Sequence, residues 1–186
     1  MSALSVQSVI LSDVSGYATR DPAVITGVVV HRIEVSQEDP AFHDNPSEVV
    51  RFFRTHPTGV RATGGKMPYP LLIEADGTLT QLLPLGRVTP HARSHNPTTI
   101  GVACLGDFRR ESPPALQRAT LVAVCTELLH ALDVGSERLF GHDELVGGSA
   151  DPNKECPGRH LSMIVLRADV EQALHGESLS QLPFLW

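Results

Sequence analysis

Val24-Ile25-Thr26-Gly27-Val28-Val29-Val30 leads directly into His31. A short run this rich in β-branched residues reads as a buried strand, and it predicts a histidine at the strand's carboxyl end. The signature returns at Thr98-Thr99-Ile100-Gly101-Val102-Ala103-Cys104-Leu105, a second buried strand. Between them, Leu71-Leu72-Ile73 and Leu79-Thr80-Gln81-Leu82-Leu83 flank Ala75-Asp76-Gly77-Thr78, whose Asp-Gly pair marks a hairpin turn. Helical segments separate these strands. Pro46-Ser47-Glu48 opens one, with Val49, Val50, Phe52 and Phe53 as its apolar face. Residues 115–132 recur at helical spacing, with Ser112 as the expected cap, Pro113 and Pro114 in the first turn, and Gly135 as the stop. A last helical pattern spans 159–174, and the glycines and prolines of 55–68 predict a loop. Strands alternating with helices, plus one hairpin, predict an α/β fold: a single domain with a central mixed β-sheet flanked by helices. The expected division is an amino-terminal arm or edge element at 1–22, the domain at 23–176 and a tail at 177–186.

Composition narrows the function. With 186 residues, one domain is the natural count. A net charge of −6 argues against a nucleic-acid surface, which needs clustered Lys and Arg. No apolar run approaches the roughly 18–20 residues of a membrane span. Met1-Ser2-Ala3-Leu4 lacks a basic, then apolar, signal pattern, so synthesis in the cytoplasm is expected. Three cysteines do not make a disulfide framework. Cys104 falls in an apolar strand and Cys125 on an apolar helix face, and both are expected to be inert core residues.

His31, His142 and Cys156 remain as candidates for chemistry. Two imidazoles and a thiolate form a borderline-soft set suited to zinc, and three protein ligands leave a fourth position open. The alternative is three unrelated residues, with Cys156 a small buried hydrophobe. Spacing alone does not choose between them.

Five motifs recur together in one family. They are Val28-Val29-Val30-His31; Tyr69 ahead of Leu71-Leu72-Ile73-Glu74-Ala75-Asp76-Gly77-Thr78; His91-Ala92-Arg93-Ser94-His95-Asn96-Pro97-Thr98-Thr99-Ile100-Gly101-Val102; Gly141-His142-Asp143; and Lys154-Glu155-Cys156-Pro157-Gly158. In this order they resemble the type 2 N-acetylmuramoyl-L-alanine amidases, relatives of the peptidoglycan recognition proteins and of single-domain phage amidases. The resemblance covers about residues 24 to 170. It implies a zinc hydrolase that cuts the amide between N-acetylmuramic acid and the L-alanine of the stem peptide, with zinc at the floor of a substrate groove. By the same resemblance, His31, His142 and Cys156 are the metal ligands, and Lys154 and Tyr69 the catalytic pair. Lys154 would stabilise the oxyanion, and Tyr69 would bond the attacking water or the same oxyanion. His91, His95 and Asn96 fall in a loop that resembles the wall of the family's groove, and are expected to touch substrate.

The sequence departs from the family pattern in two places. Tyr69 stands between Pro68 and Pro70, where the family places a histidine and an aromatic residue after the tyrosine. The loop between His142 and Cys156 is several residues longer, either as a lid or as a surface excursion. The expected partner is peptidoglycan or its muropeptides, and the expected state a monomer. A phage-type endolysin acting in the periplasm or wall is the leading expectation. Its alternatives are an antibacterial effector, a wall-recycling enzyme, and a binding module that recognises muropeptides without cutting them. A cysteine hydrolase using Cys156 is a further alternative.

Overall fold

The computed structural model describes residues 6–8, 11, 13–34, 46–147, 155–176, 184 and 186. Six strands form one sheet: β1 (Val6–Ser8), β2 (Gly27–Ile33), β3 (Leu71–Ile73), β4 (Leu79–Gln81), β5 (Thr99–Leu105) and β6 (Leu139–Gly141). Their spatial order is β1-β4-β3-β5-β2-β6. Among these six strands only the β3/β4 hairpin is antiparallel, and the other strand pairs are parallel. The mixed sheet follows from the sequence in this way, because a tight Asp-Gly turn can join only antiparallel neighbours. The amino-terminal segment supplies an edge strand, β1, beside β4.

The central strand β5 is buried along its whole length, as a parallel strand covered on both faces must be. Ile100, Val102 and Cys104 join Val28 and Val30 of β2 in the larger core, against α3 (Ala115–Ala131) and α5 (Met163–Leu174). Ala103 and Leu105 face the opposite side, with Leu72, Met67 and Val49 of α1 (Pro46–Thr55). Strand alternation puts His31 and Gly101 on this second side, away from α3 and α5. Cys104 and Cys125 are both fully buried, and burial holds their thiols well above the ordinary range.

Several boundaries differ from the sequence reading. The first buried strand begins at Gly27, and Pro22–Val24 form a 3-10 turn capped by Asp21. His31 is therefore not terminal: pairing with β5 carries β2 on to Ile33, opposite Leu105, overriding the polar Arg32. Part of the expected 55–68 loop is helix α2 (Pro57–Thr63), in which His56 caps the Thr58 N–H, Pro57 opens the first turn and Gly64 closes it. The proline and glycine there are helix boundaries rather than breakers. Ser112 does not cap α3; Pro114 takes the N-cap position with no side-chain bond. The helix ends three residues before Gly135 can act, because Asp133 adopts the left-handed conformation (φ 54°). The last helix starts at Met163, where Ser162 bonds the Val165 N–H, and residues 159–161 form turns instead. A short helix, α4 (His142–Val146), follows β6 directly. Among the described residues, no helix is long and apolar enough to cross a membrane.

Candidate metal centre

His31, His142 and Cys156 come from three separate parts of the chain and converge. One ligand atom from each lies within 4.8 Å of the other two. His31 projects from β2, His142 opens α4 just after β6, and parallel β2/β6 pairing brings the two rings to a 4.6 Å centroid separation. Nδ1 of His31 is 3.8 Å from the Cys156 sulfur. Zinc bonds of about 2.0–2.1 Å to nitrogen and 2.3 Å to sulfur, at a tetrahedral angle, separate the two donors by roughly 3.5 Å. The donors present therefore fit zinc in chemistry and in spacing. His31 is 1% exposed, whereas His142 and Cys156 are partly open to solvent.

Electrostatics prepare the histidines as ligands. Burial, followed by the neighbouring His91 and His142, holds His31 well below the ordinary imidazole range. Burial lowers His142 too, against the opposing pull of Asp143. Both rings are neutral at neutral pH, with lone pairs to give. Burial pushes the Cys156 thiol up to about 11, so it becomes a thiolate only with help, which a bound cation supplies.

The Cys156 loop is tied down by residues that the sequence reading did not single out. Asp143, next to His142, accepts the Cys156 N–H at 2.7 Å, while its own N–H donates to the Cys156 carbonyl at 2.9 Å. Arg32, next to His31, donates to the Glu155 carbonyl at 2.8 Å and lies 3.5 Å from Asp107. Gly158 has φ 113° and backs onto the Phe108 carbonyl, which a Cβ there would approach to 2.7 Å. Only glycine fits both constraints. Asp143 was within reach of the sequence, since it belongs to the Gly141-His142-Asp143 motif; nothing in the local pattern marked Arg32.

Tyr69 reaches the site. Its ring lies 4.8 Å from that of His31, with Phe53 of α1 packed edge-on behind it at 5.9 Å. The flanking prolines do not turn it away: both are buried, and the Pro70 carbonyl accepts the Leu82 N–H at 2.8 Å. Burial, with a smaller contribution from neighbouring Cys156, raises Tyr69 well above the usual phenol range, so it stays protonated. Lys154 and most of the long loop before it lie outside the described residues.

The expected substrate loop divides. His91 is 6% exposed, and its ring packs behind His31 with Nδ1 3.1 Å from His31 Nε2, so it is not a groove-wall residue. Burial drives it down to about 3. Asn96 uses its side-chain oxygen to accept the N–H groups of His91 and Ala92, at 3.0 and 2.6 Å, and so builds the turn. His95 remains half-exposed.

Residues 20–159 match the model of the N-acetylmuramoyl-L-alanine amidase family, and the chain belongs to that family. A peptidoglycan-recognition protein of Drosophila simulans is 32% identical over 96 residues, a match that spans 50% of this chain and 48% of that protein. Among solved structures, the Ph2119 endolysin from a Thermus scotoductus bacteriophage superposes with a TM-score of 0.67 at 20% identity, over 89% of this chain and 99% of the endolysin. The amidase LysC of Clostridium intestinale gives 0.63 at 20% identity, over 89% and 97%. At such identities the structural likeness is one of fold.

Proposed function

We propose that this protein is a zinc-dependent N-acetylmuramoyl-L-alanine amidase of the phage-endolysin type. The observation that carries the reading is the convergence of His31, His142 and Cys156 with the Tyr69 ring against them. All three metal positions hold competent donors, which favours catalysis over a binding module of the kind the recognition-protein relative suggests. Zinc bound there lowers the pKa of water and polarises the scissile amide carbonyl. The rest falls to this chain's side chains. Tyr69, protonated and beside the ligands, hydrogen-bonds the attacking water or the developing oxyanion, and its proton is one source for the leaving L-alanine amine. Lys154, two residues before Cys156, stabilises the oxyanion. His95, half-exposed in its loop, contacts the muropeptide. As an endolysin it acts in the periplasm or cell wall after release.

The test is digestion of purified sacculi with and without a chelator, with the released ends identified by mass spectrometry. Stem peptides beginning with free L-alanine, abolished by chelation and restored by zinc, are the expected products. Lys154→Ala should then lose on the order of 10²–10³ in rate, the usual cost of an oxyanion donor. Sacculi and soluble muropeptides that both survive a zinc-loaded protein would establish the binding module instead.

A further inference from the structure

His31 can meet a metal through either ring nitrogen, and a ring that keeps its proton on the facing nitrogen is no ligand. Its surroundings make the choice. Nδ1 points towards the Cys156 sulfur, and Nε2 lies 3.1 Å from Nδ1 of His91. On the far side of the His91 ring, Nε2 faces two oxygens of Thr99, the carbonyl and the hydroxyl, each at 3.3 Å. Both act there as acceptors. A carbonyl has no proton to give, and the single hydroxyl proton is donated to the His95 carbonyl at 2.7 Å. The neutral His91 ring must therefore carry its proton on Nε2 and its lone pair on Nδ1. His31 then donates from Nε2, which leaves its Nδ1 lone pair aimed at the metal position.

Two further features hold this chain of bonds in place. Arg20 donates to the same Thr99 carbonyl at 2.7 Å and to the Asn96 carbonyl at 2.8 Å, anchoring the acceptor from the amino-terminal segment. Gly101 of β5 lies under the His91 ring, where a Cβ would stand 3.0 Å from both Cγ and Nδ1. We propose that His91 is a positioning residue, which reads the Thr99 oxygens and so fixes His31 in the tautomer that binds zinc. The proposal rests on the zinc site described above and gives His91 a role other than substrate contact.

Long-range proton–nitrogen correlation on nitrogen-15-labelled protein reads the tautomers directly, with and without zinc. The expected pattern has protons on Nε2 of both His91 and His31 in both states; an Nδ1–H on either ring of the metal-free protein overturns the proposal. Competition with a chromogenic chelator reads the consequence. His91→Leu should weaken zinc binding about 10–100-fold, the usual cost of losing a partner that orients a metal ligand. His91→Asn, whose amide oxygen replaces the Nδ1 acceptor, should stay near the wild-type value. Gly101→Ala should displace the ring and weaken zinc, and serves if His91→Leu does not fold. Unchanged zinc affinity in His91→Leu with a raised KM would return His91 to the substrate, and His91→Asn as weak as His91→Leu would show that the acceptor is not what matters. A wild-type protein that binds no zinc would sink the proposed function instead, while its tautomers could still be read.

Discussion

Cys156 is held from both sides of its peptide unit, by Asp143 on its own N–H and carbonyl and by Arg32 on the carbonyl before it. A thiolate on a loop is a good ligand only if the loop does not have to be ordered when the metal arrives, since that ordering is subtracted from the affinity. Asp143→Ala removes the acceptor for the Cys156 N–H and should lower zinc affinity by roughly ten-fold, at the low end of what outer-layer partners of metal sites contribute. Asp143→Asn keeps an oxygen there and should lose less. Chelator competition on the two variants checks both; equal affinities for Asp143→Ala and wild type would mean that Arg32 and Gly158 hold the loop unaided. At this scale the sequence was readable where chemistry and motif coincided, as at His31, His142 and Cys156. It misled at His91, because a histidine in a polar loop gives no local sign that its ring turns inward onto Gly101.

At the scale of elements, α3 is joined to the sheet by more than apolar packing. Gln117 is fully buried and donates from its side-chain nitrogen to the carbonyls of Ile73 and Leu105, at 3.0 and 2.8 Å. These carbonyls end β3 and β5, so one amide secures a helix across two strand termini. Its side-chain oxygen has no partner among the described residues. Gln117→Ala leaves both carbonyls without this donor and opens a cavity, and should cost about 2–3 kcal/mol. Gln117→Met fills the space and removes the unpartnered oxygen, so it should cost less. Urea midpoints at constant slope measure both, and an unchanged midpoint for Gln117→Ala would refute the anchoring role. The existence of α3 and of the buried strands could be read from periodicity. Boundaries could not, because they are decided by backbone conformations such as that of Asp133 and by caps such as His56, which depend on a few hydrogen bonds rather than on a pattern.

For the whole molecule, a cluster of charges ties the end of β5 to β2 and to the Cys156 loop. Asp107 accepts from Arg109 at 2.6 and 2.7 Å and lies 3.5 Å from Arg32, while Arg109 also pairs with Glu34 at 2.7 Å. The Arg109 hydrogen bonds, with smaller pulls from the Arg109 and Arg32 charges, hold Asp107 below the usual carboxylate range. A depressed carboxyl adds stability that is complete above its unfolded value, near pH 4, and is lost as pH falls through the lower folded value. Asp107→Asn should therefore destabilise the protein by about 1–2 kcal/mol at neutral pH and flatten the decline in stability below pH 4. Thermal unfolding of the two proteins across pH 2–7 checks this. An acid limb of the same steepness in both would place the titration elsewhere.

The α/β class, the hairpin, the buried strands and the three candidate metal ligands were all present in the sequence. Each is written in local order: β-branched runs, an Asp-Gly turn, and side chains whose chemistry suits one kind of ion. That His31, His142 and Cys156 form one site was a matter for the tertiary structure. Parallel register sets β6 beside β2 and so brings together two histidines that are far apart in the chain. The placement of His91, Asp143, Arg32 and Gly101 was decided at the same level. Each acts through a few hydrogen bonds or a missing Cβ across the fold, and neither leaves a periodic trace in the chain.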